Sequence, residues 1–87
     1  MAYSIEIHRN ARKQMLAIPR QTQLDIARSI DGLADNPRPM GYRRLHGVAL
    51  FRLRVGRYRI VYAIDDKTRL IIVVKIAPRR ENTYDGL

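Results

Sequence analysis

Apolar and polar residues alternate in separate parts of the chain, and each such part predicts a β-strand. Residues 3–7 alternate as in a strand with one buried face. Residues 50–64, LFRLRVGRYRIVYAI, alternate on both sides of Gly56 and Arg57, which predicts a hairpin with a two-residue type II′ turn. Residues 70–76 are apolar on both faces, as expected of a central strand.

Helical spacing of apolar residues between the first strand and the hairpin predicts two helices. Asn10 is the expected N-cap of the first helix, and Pro19 ends it and suits the first turn of the second. Residues 36–39, Asn-Pro-Arg-Pro, stop the second helix, and residues 40–49 are predicted to form a basic loop. The predicted order is β-α-α-β-β-β, an α+β fold in which two N-terminal helices pack on one face of a small, mostly antiparallel sheet.

The two-residue turn fixes which hairpin residues face each other. Counting outward, Val55 pairs with Tyr58 and Arg54 pairs with Arg59. One face is then apolar and carries Phe51, Leu53, Val55, Tyr58, Ile60 and Tyr62. The other face carries Arg52, Arg54 and Arg59 and is expected to be open to solvent. Because like charges directly opposite each other repel, removing Arg59 is expected to leave stability equal or higher.

Arginine dominates the charge of the chain. It has 17 Lys and Arg against 8 Asp and Glu, a net charge of +9, and only Lys13, Lys67 and Lys75 are lysines. Seven arginines and no acid lie between residues 36 and 64. Since arginine favours bidentate phosphate contacts and stacking on bases, a polyanion is the leading partner, either nucleic acid or an acidic protein segment. An arginine-rich face that is merely solvated is the alternative interpretation.

Length and composition exclude several classes. The 87 residues predict one domain, 1–87, and the absence of cysteine excludes disulfides and zinc–thiolate sites. No apolar signal segment is seen at the N-terminus, and the longest aliphatic run, 70–74, is too short to cross a membrane, so a cytoplasmic location is expected. Only Asp65 and Asp66 adjoin among the acids, and neither histidine has a partner at ligand spacing, so no metal or cofactor is predicted.

The hairpin motif, preceded by a helix pair ending in ADNPRP and followed by IIVVKIAPRRENTY, resembles the RelE/ParE superfamily of toxins from type II toxin–antitoxin modules. The resemblance covers essentially the whole chain and is strongest to the RelE-like mRNA interferases. It implies a RelE-like fold and three partners: a cognate antitoxin that is acidic and partly disordered, ribosomal RNA, and mRNA. The superfamily also contains ParE-like inhibitors of DNA gyrase, so that target stays an alternative, as does a non-catalytic RNA-binding relative.

The resemblance implies a catalytic set. Arg54 and Arg59 match basic residues of the second and third strands, and Arg79 matches the basic residue just beyond the last strand. Tyr84 matches, with a one-residue offset, the tyrosine that works near the scissile phosphate. His46 is a rival general base because an imidazole side chain can both accept and donate a proton. Further basic residues are expected to bind RNA: Arg43, Arg44, His46, Arg52, Arg57 and Arg80.

Two departures from the family pattern bear on the chemistry. Pro78 stands where some RelE-like relatives have a histidine, and Arg52 and Arg54 stand where the best-known relatives have lysines, so no group there can lose a proton. The implied reaction is cleavage without metal, in which the RNA 2′-OH attacks the adjacent phosphate while arginines stabilise the developing charge. Tyr58 and Tyr62 fall on the apolar face and are expected to be core residues rather than platforms for stacking bases.

Overall fold

The computed structural model describes residues 2–78. Its elements are β1 (Ser4–Ile7), α1 (Arg9–Leu16), α2 (Arg20–Asp35), β2 (Arg43–Arg44), β3 (Phe51–Val55), β4 (Tyr58–Asp65) and β5 (Leu70–Pro78). The predicted α+β order is confirmed, with one addition, because the two-residue strand β2 lies within the segment expected to be a loop. Two adjacent arginines show no alternation, so the sequence pattern could not reveal this strand.

The strands form one sheet in the order β1-β5-β4-β3-β2. β1 runs parallel to β5, and the other neighbours are antiparallel, which confirms the mostly antiparallel sheet. β5 has a strand on each side, as the apolar run predicted. No helix within residues 2–78 is long and apolar enough to cross a membrane.

The hairpin has the predicted register. Val55 pairs with Tyr58 and Arg54 pairs with Arg59, so the two turn residues are Gly56 and Arg57. Gly56 has a φ of 59°, and Arg57 is not among the residues with positive φ. A positive φ at only the first turn residue is the type II′ pattern, whose twist matches that of the flanking strands.

A β-bulge interrupts the pairing of β4 with β5. Val61 pairs with Lys75, whereas the next residue, Tyr62, pairs with Val73, so Val74 is an extra residue on β5. An extra residue changes which side chains of a strand share a face. As a result, Val73 lies in the core on one side of the bulge, whereas Lys75 lies in the same cross-strand row as Val61.

Beyond the bulge, β5 is no longer paired with β1 and instead contacts α1. β1 ends where Ile7 pairs with Val73, and the backbone N–H of Ile76 donates to Oε1 of Gln14 on α1 at 2.8 Å. A buried or half-buried backbone donor needs such a partner. Ile76 is thereby held in the core although it lies only three residues from Val73.

The two helices cover the apolar face of the sheet. The core cluster consists of Ala11, Ile18, Ile26, Ile30, Leu33, Ile60, Tyr62, Ile71, Val73 and Ile76. The N-cap prediction was wrong: α1 begins at Arg9, and the cap is His8, whose Nδ1 accepts from the N–H of Asn10 at 3.2 Å. His8 has the extended backbone that a capping residue adopts, whereas Asn10 already lies within the helix.

Tyr62 joins the sheet to the segment that follows α2. Its side chain is fully buried, and its hydroxyl donates to the carbonyl oxygen of Pro37 at 2.8 Å. Burial raises the pKa of Tyr62 to about 12. The expectation that Tyr62 is a core residue is confirmed, and Tyr58 packs partly buried against the same core.

Candidate functional site

Cross-strand pairing gathers basic side chains on the face of the sheet opposite the helices. Arg43 of β2 pairs with Arg52 of β3, and Arg52 pairs with Val61 of β4. Val61 in turn pairs with Lys75 of β5, so the three basic residues lie in one row across the strands. This row and the facing pair next to it form what we call the basic cluster: Arg43, Arg52, Arg54, Arg59 and Lys75.

The same face changes character towards the other end of the strands. Ala63 pairs with Ile72, which pairs with Glu6, and Asp65 pairs with Leu70. These two rows therefore carry one carboxylate each and no arginine. A polyanion approaching this face is therefore attracted most strongly to the half that carries the basic cluster.

The arginine face is not uniformly open, contrary to the sequence-based expectation. Arg59 is 2% exposed and Arg52 is 8% exposed, whereas Arg54 and Arg43 are exposed. Val61, which pairs with Arg52, is fully buried although it lies on this face. Long arginine stems cover apolar surface readily, and alternation alone cannot report this. Arg52 and Arg59 both have interaction partners, as buried guanidinium groups require.

Three of the predicted RNA-binding residues lie away from the basic cluster. Arg44 pairs with Phe51, so it lies on the face of β2 opposite Arg43. His46 is exposed in the loop after β2, where residues 44–49 line an open pocket of about 440 Å³.

Arg57 lies on the helix side of the sheet. It lines an open pocket of about 490 Å³ with Thr22 and Asp25 of α2 and with Tyr58. The structure therefore brings together four of the predicted site residues, on β2, β3 and β4: Arg43, Arg52, Arg54 and Arg59. Arg44, His46 and Arg57 are not part of this cluster. Arg79, Arg80 and Tyr84 lie outside the described residues, and their roles stay predictions.

Sequence reasoning missed Lys75 as a member of the basic cluster. The bulge at Val74 shifts β5 by one residue, and a strict alternation cannot anticipate that shift. The signal that could have found it is a single charged residue in the apolar run IIVVKIA. Lys75 is partly buried and, like Arg52 and Arg59, has an interaction partner.

A cluster of three side chains anchors the segment that leads into β2. Nη2 of Arg38 lies 2.8 Å from Oδ2 of Asp66, Nη1 of Arg38 donates to Oδ1 at 3.3 Å, and the hydroxyl of Tyr3 donates to the same Oδ1. The hydrogen bond from Arg38 lowers the pKa of Asp66, and the hydrogen bond to Asp66 raises the pKa of Tyr3. Arg38 therefore has an internal partner, although it belongs to the acid-free arginine segment.

Two contacts thus fix the start of the connection to β2. The carbonyl oxygen of Pro37 accepts a hydrogen bond from the hydroxyl of Tyr62, and the next residue, Arg38, forms an ion pair with Asp66. Arg43 follows five residues later and carries the first side chain of the basic cluster. Within residues 2–78, no group of three or more His, Asp or Glu side chains is placed to hold a metal ion.

Comparison with known proteins adds to this geometry. Residues 5–83 match the family model described as the ParE toxin of the type II toxin–antitoxin system parDE. The chain is also 32% identical over 88 residues to the RelE1 protein of Methanocaldococcus jannaschii, with 97% of each chain covered. The chain belongs to the RelE/ParE toxin family.

Solved structures show the same fold as this RelE/ParE toxin. The archaeal RelE–RelB complex from Pyrococcus horikoshii matches with a TM-score of 0.83 and 28% identity, over 93% of this chain and 99% of that chain. RelBE2 from Mycobacterium tuberculosis matches with a TM-score of 0.81 and 21% identity, over 91% of this chain and 100% of that chain. At the lower identity the similarity concerns the fold alone.

Proposed function

We propose that this RelE/ParE toxin is a ribosome-dependent endoribonuclease that cleaves mRNA and thereby inhibits translation. The observation that carries the proposal is the cross-strand register, which sets Arg52, Arg54 and Arg59 on one face. Guanidinium groups converging on a rigid sheet suit a phosphate whose charge grows during cleavage. We further propose that residues 1–87 form one domain. The proposed place of action is the cytoplasm, where translating ribosomes are found.

The proposed reaction uses the RNA 2′-OH as nucleophile and needs no metal or cofactor. The 2′-oxygen attacks the adjacent phosphorus, and the bond to the 5′-oxygen breaks. In this proposal Arg54 and Arg79 contact the pentacoordinate phosphate and stabilise its charge, and buried Arg59 adds its positive charge from within the sheet face. Tyr84 takes the proton of the 2′-OH. The site supplies positive charge but only a weak general base. We therefore expect that cleavage also requires the ribosome, which orients the substrate.

We also propose that the toxin binds a cognate antitoxin with an acidic, partly disordered segment. The RelE of Pyrococcus horikoshii is found in complex with RelB. The net charge of +9 and the exposed Arg43 and Arg54 provide the surface for such a segment. A disordered acidic segment can wrap a basic surface and order as it binds. Covering the basic cluster would block access of RNA and so neutralise the toxin.

A second candidate function is inhibition of DNA gyrase. The family model that matches residues 5–83 describes a ParE toxin, and this observation favours it. In that case the fold acts by binding a protein, and the basic cluster has no phosphate to stabilise. The helix pair speaks weakly against it, because α1 has only 8 residues and α2 has 16, whereas a longer helical hairpin would suit a gyrase inhibitor.

The deciding experiment places both targets side by side. The purified toxin is added to a translating extract with a labelled mRNA, and in parallel to a gyrase supercoiling assay. Cleavage of mRNA on translating ribosomes, lost in Arg54→Ala and retained in Arg20→Ala, supports the proposal; Arg20 is an exposed arginine on α2. Intact mRNA with blocked supercoiling supports the gyrase function. Binding to RNA without either effect points to the non-catalytic relative.

A further inference from the structure

The basic cluster contains one side chain that differs chemically from the others. Arg43, Arg52, Arg54 and Arg59 carry guanidinium groups, which stay protonated in proteins. Lys75 carries an ammonium group, which can give up a proton and take one back. Phosphate cleavage by the 2′-OH releases a 5′-alkoxide, and this poor leaving group departs faster when it receives a proton. The arginines can stabilise charge, but they cannot supply that proton.

The register places Lys75 where it can reach the same phosphate as the arginines. Arg52, Val61 and Lys75 occupy one row on β3, β4 and β5. Neighbouring strands lie roughly 4.8 Å apart, so the Cα atoms of Arg52 and Lys75 are separated by roughly 10 Å. Val61 is the middle residue of this row, and its short side chain is fully buried between the two long ones. Lys75 is partly exposed on the same face as the exposed Arg43 and Arg54, and side chains of this length can reach one phosphate group there.

The bulge is what gives Lys75 this position. Both Val73 and Ile76 belong to the core on the helix side. Without the extra residue Val74, two residues separated by three positions could not share a face. Just beyond the bulge, the N–H of Ile76 donates to Gln14 of α1, which fixes β5 on the far side of Lys75. The bulge thus places Lys75 on the face of the sheet that carries the arginines.

We infer that Lys75 is the general acid of the proposed cleavage, and this inference rests on the proposed function. The 2′-oxygen forms a bond to phosphorus while its proton passes to the general base. The bond from phosphorus to the 5′-oxygen breaks, and its electron pair takes a proton from Nζ of Lys75. The products are a 2′,3′-cyclic phosphate and a 5′-hydroxyl, and Lys75 regains its proton from water. Lys75 can donate a proton, which Arg52 and Arg54 cannot do, although the best-known relatives have lysines at those two positions.

The test uses two synthetic mRNAs that differ in one atom. One has the natural 5′-oxygen at the cleavage site, and the other has sulfur there, which leaves without protonation. Single-turnover cleavage on programmed ribosomes is measured for the wild type and for Lys75→Arg, which keeps the charge but cannot donate a proton. Lys67→Arg, in the exposed turn between β4 and β5, is the matched control.

We expect Lys75→Arg to bind ribosomes as the wild type does, to cleave the oxygen substrate about 10²-fold more slowly, and to cleave the sulfur substrate at nearly the wild-type rate. Lys67→Arg is expected to match the wild type on both. Lys75→Gln gives a second reading, because it should weaken binding yet show the same selective rescue by sulfur.

Equal cleavage of the oxygen substrate by Lys75→Arg and wild type would overturn the inference, as would a defect of equal size on both substrates. Thermal melting of each variant shows whether it is folded, and the ratio of the two substrate rates does not depend on the amount of folded protein. A wild-type protein that cleaves neither substrate would instead overturn the proposed function itself.

Discussion

Arg54 and Arg59 face each other across the β3–β4 hairpin, yet Arg54 is exposed and Arg59 is only 2% exposed. Two arginines in the same cross-strand row are therefore expected to contribute differently to the stability of the fold. Truncating an exposed side chain changes stability little, whereas truncating a buried one leaves a space in the structure. The pair allows binding of a polyanion to be separated from stability.

Arg54→Ala is expected to weaken binding to single-stranded RNA and to leave stability within about 0.5 kcal/mol of the wild type, because an exposed charge and its repulsion with Arg59 are both removed. The salt dependence of RNA binding should fall by about one phosphate contact. Fluorescence anisotropy at several salt concentrations and a thermal melt check this. Arg20→Ala is the control, and an equal loss of affinity in both variants would contradict a localised site.

Arg59→Ala is expected to lower the free energy of unfolding by about 1–3 kcal/mol, as is common when a buried side chain and its partners are lost. Burial thus outweighs the relief of repulsion on which the sequence-based expectation of equal or higher stability rested. Urea unfolding of the variant provides the measurement. Arg59→Met, which keeps much of the volume, should lose less; if both variants were as stable as the wild type, Arg59 would not be packed as described.

Tyr62→Phe is expected to cost about 1–2 kcal/mol of stability, because the carbonyl of Pro37 then lacks the hydroxyl that donates to it. The raised pKa of Tyr62, about 12, adds a pH dependence. The neutral phenol is favoured in the folded state, so its contribution is complete below about pH 10 and is lost as the pH rises through 12. Urea unfolding between pH 8 and pH 11 should show this loss in the wild type and not in Tyr62→Phe. Tyr58→Phe, at a partly exposed position, is the control.

Asp66→Asn is expected to remove part of the acid sensitivity of the fold. The pKa of Asp66 is lowered in the folded state, so the carboxylate stabilises the fold above its ordinary value of 3.8, and this contribution is lost as the pH falls through the folded value. Chemical unfolding at a series of acidic pH values measures the effect. Arg38→Ala should have a similar effect, and the double variant should show little more than either alone. Full additivity would mean that the two residues do not act as a pair.

Two glycines are expected to respond to alanine with opposite signs. Gly32 lies within α2, nothing lies near its missing Cβ, and Gly32→Ala should stabilise the protein by about 0.4–1 kcal/mol. Gly56 has a φ of 59°, and Gly56→Ala should destabilise the hairpin by about 1–2 kcal/mol because a Cβ is strained there. Thermal melts of the two variants give the comparison. A stabilising Gly56→Ala would rule out the type II′ turn.

The hairpin could be predicted from the sequence because its determinants are local. Gly56 and Arg57 set the turn, the turn sets the register, and the register decides that Arg54 faces Arg59. The end of α2 before residues 36–39 was predictable for the same reason, since proline limits its own backbone and that of the preceding residue. Pro19 was placed less accurately, because α1 already ends at Leu16 and Pro19 is the N-cap of α2 rather than part of its first turn.

What the sequence did not predict depends on contacts between distant residues. The place of Lys75 requires the bulge at Val74, and just beyond it the N–H of Ile76 donates to Gln14, which is 62 residues away along the chain. Arg59 is 2% exposed, and alternation reports only the face on which a side chain lies and not how exposed it is. The two-residue strand β2 exists only because β3 is there to pair with it.

The parallel pairing of β1 with β5 sets a limit on when the chain can fold during its own synthesis. Ser4 pairs with Leu70 and Ile7 pairs with Val73, so the first strand made has no neighbour in the sheet until almost all of the described chain has been translated. Contacts of such long separation form slowly. The sheet therefore cannot be completed until β5 has been synthesised, however early β1 leaves the ribosome.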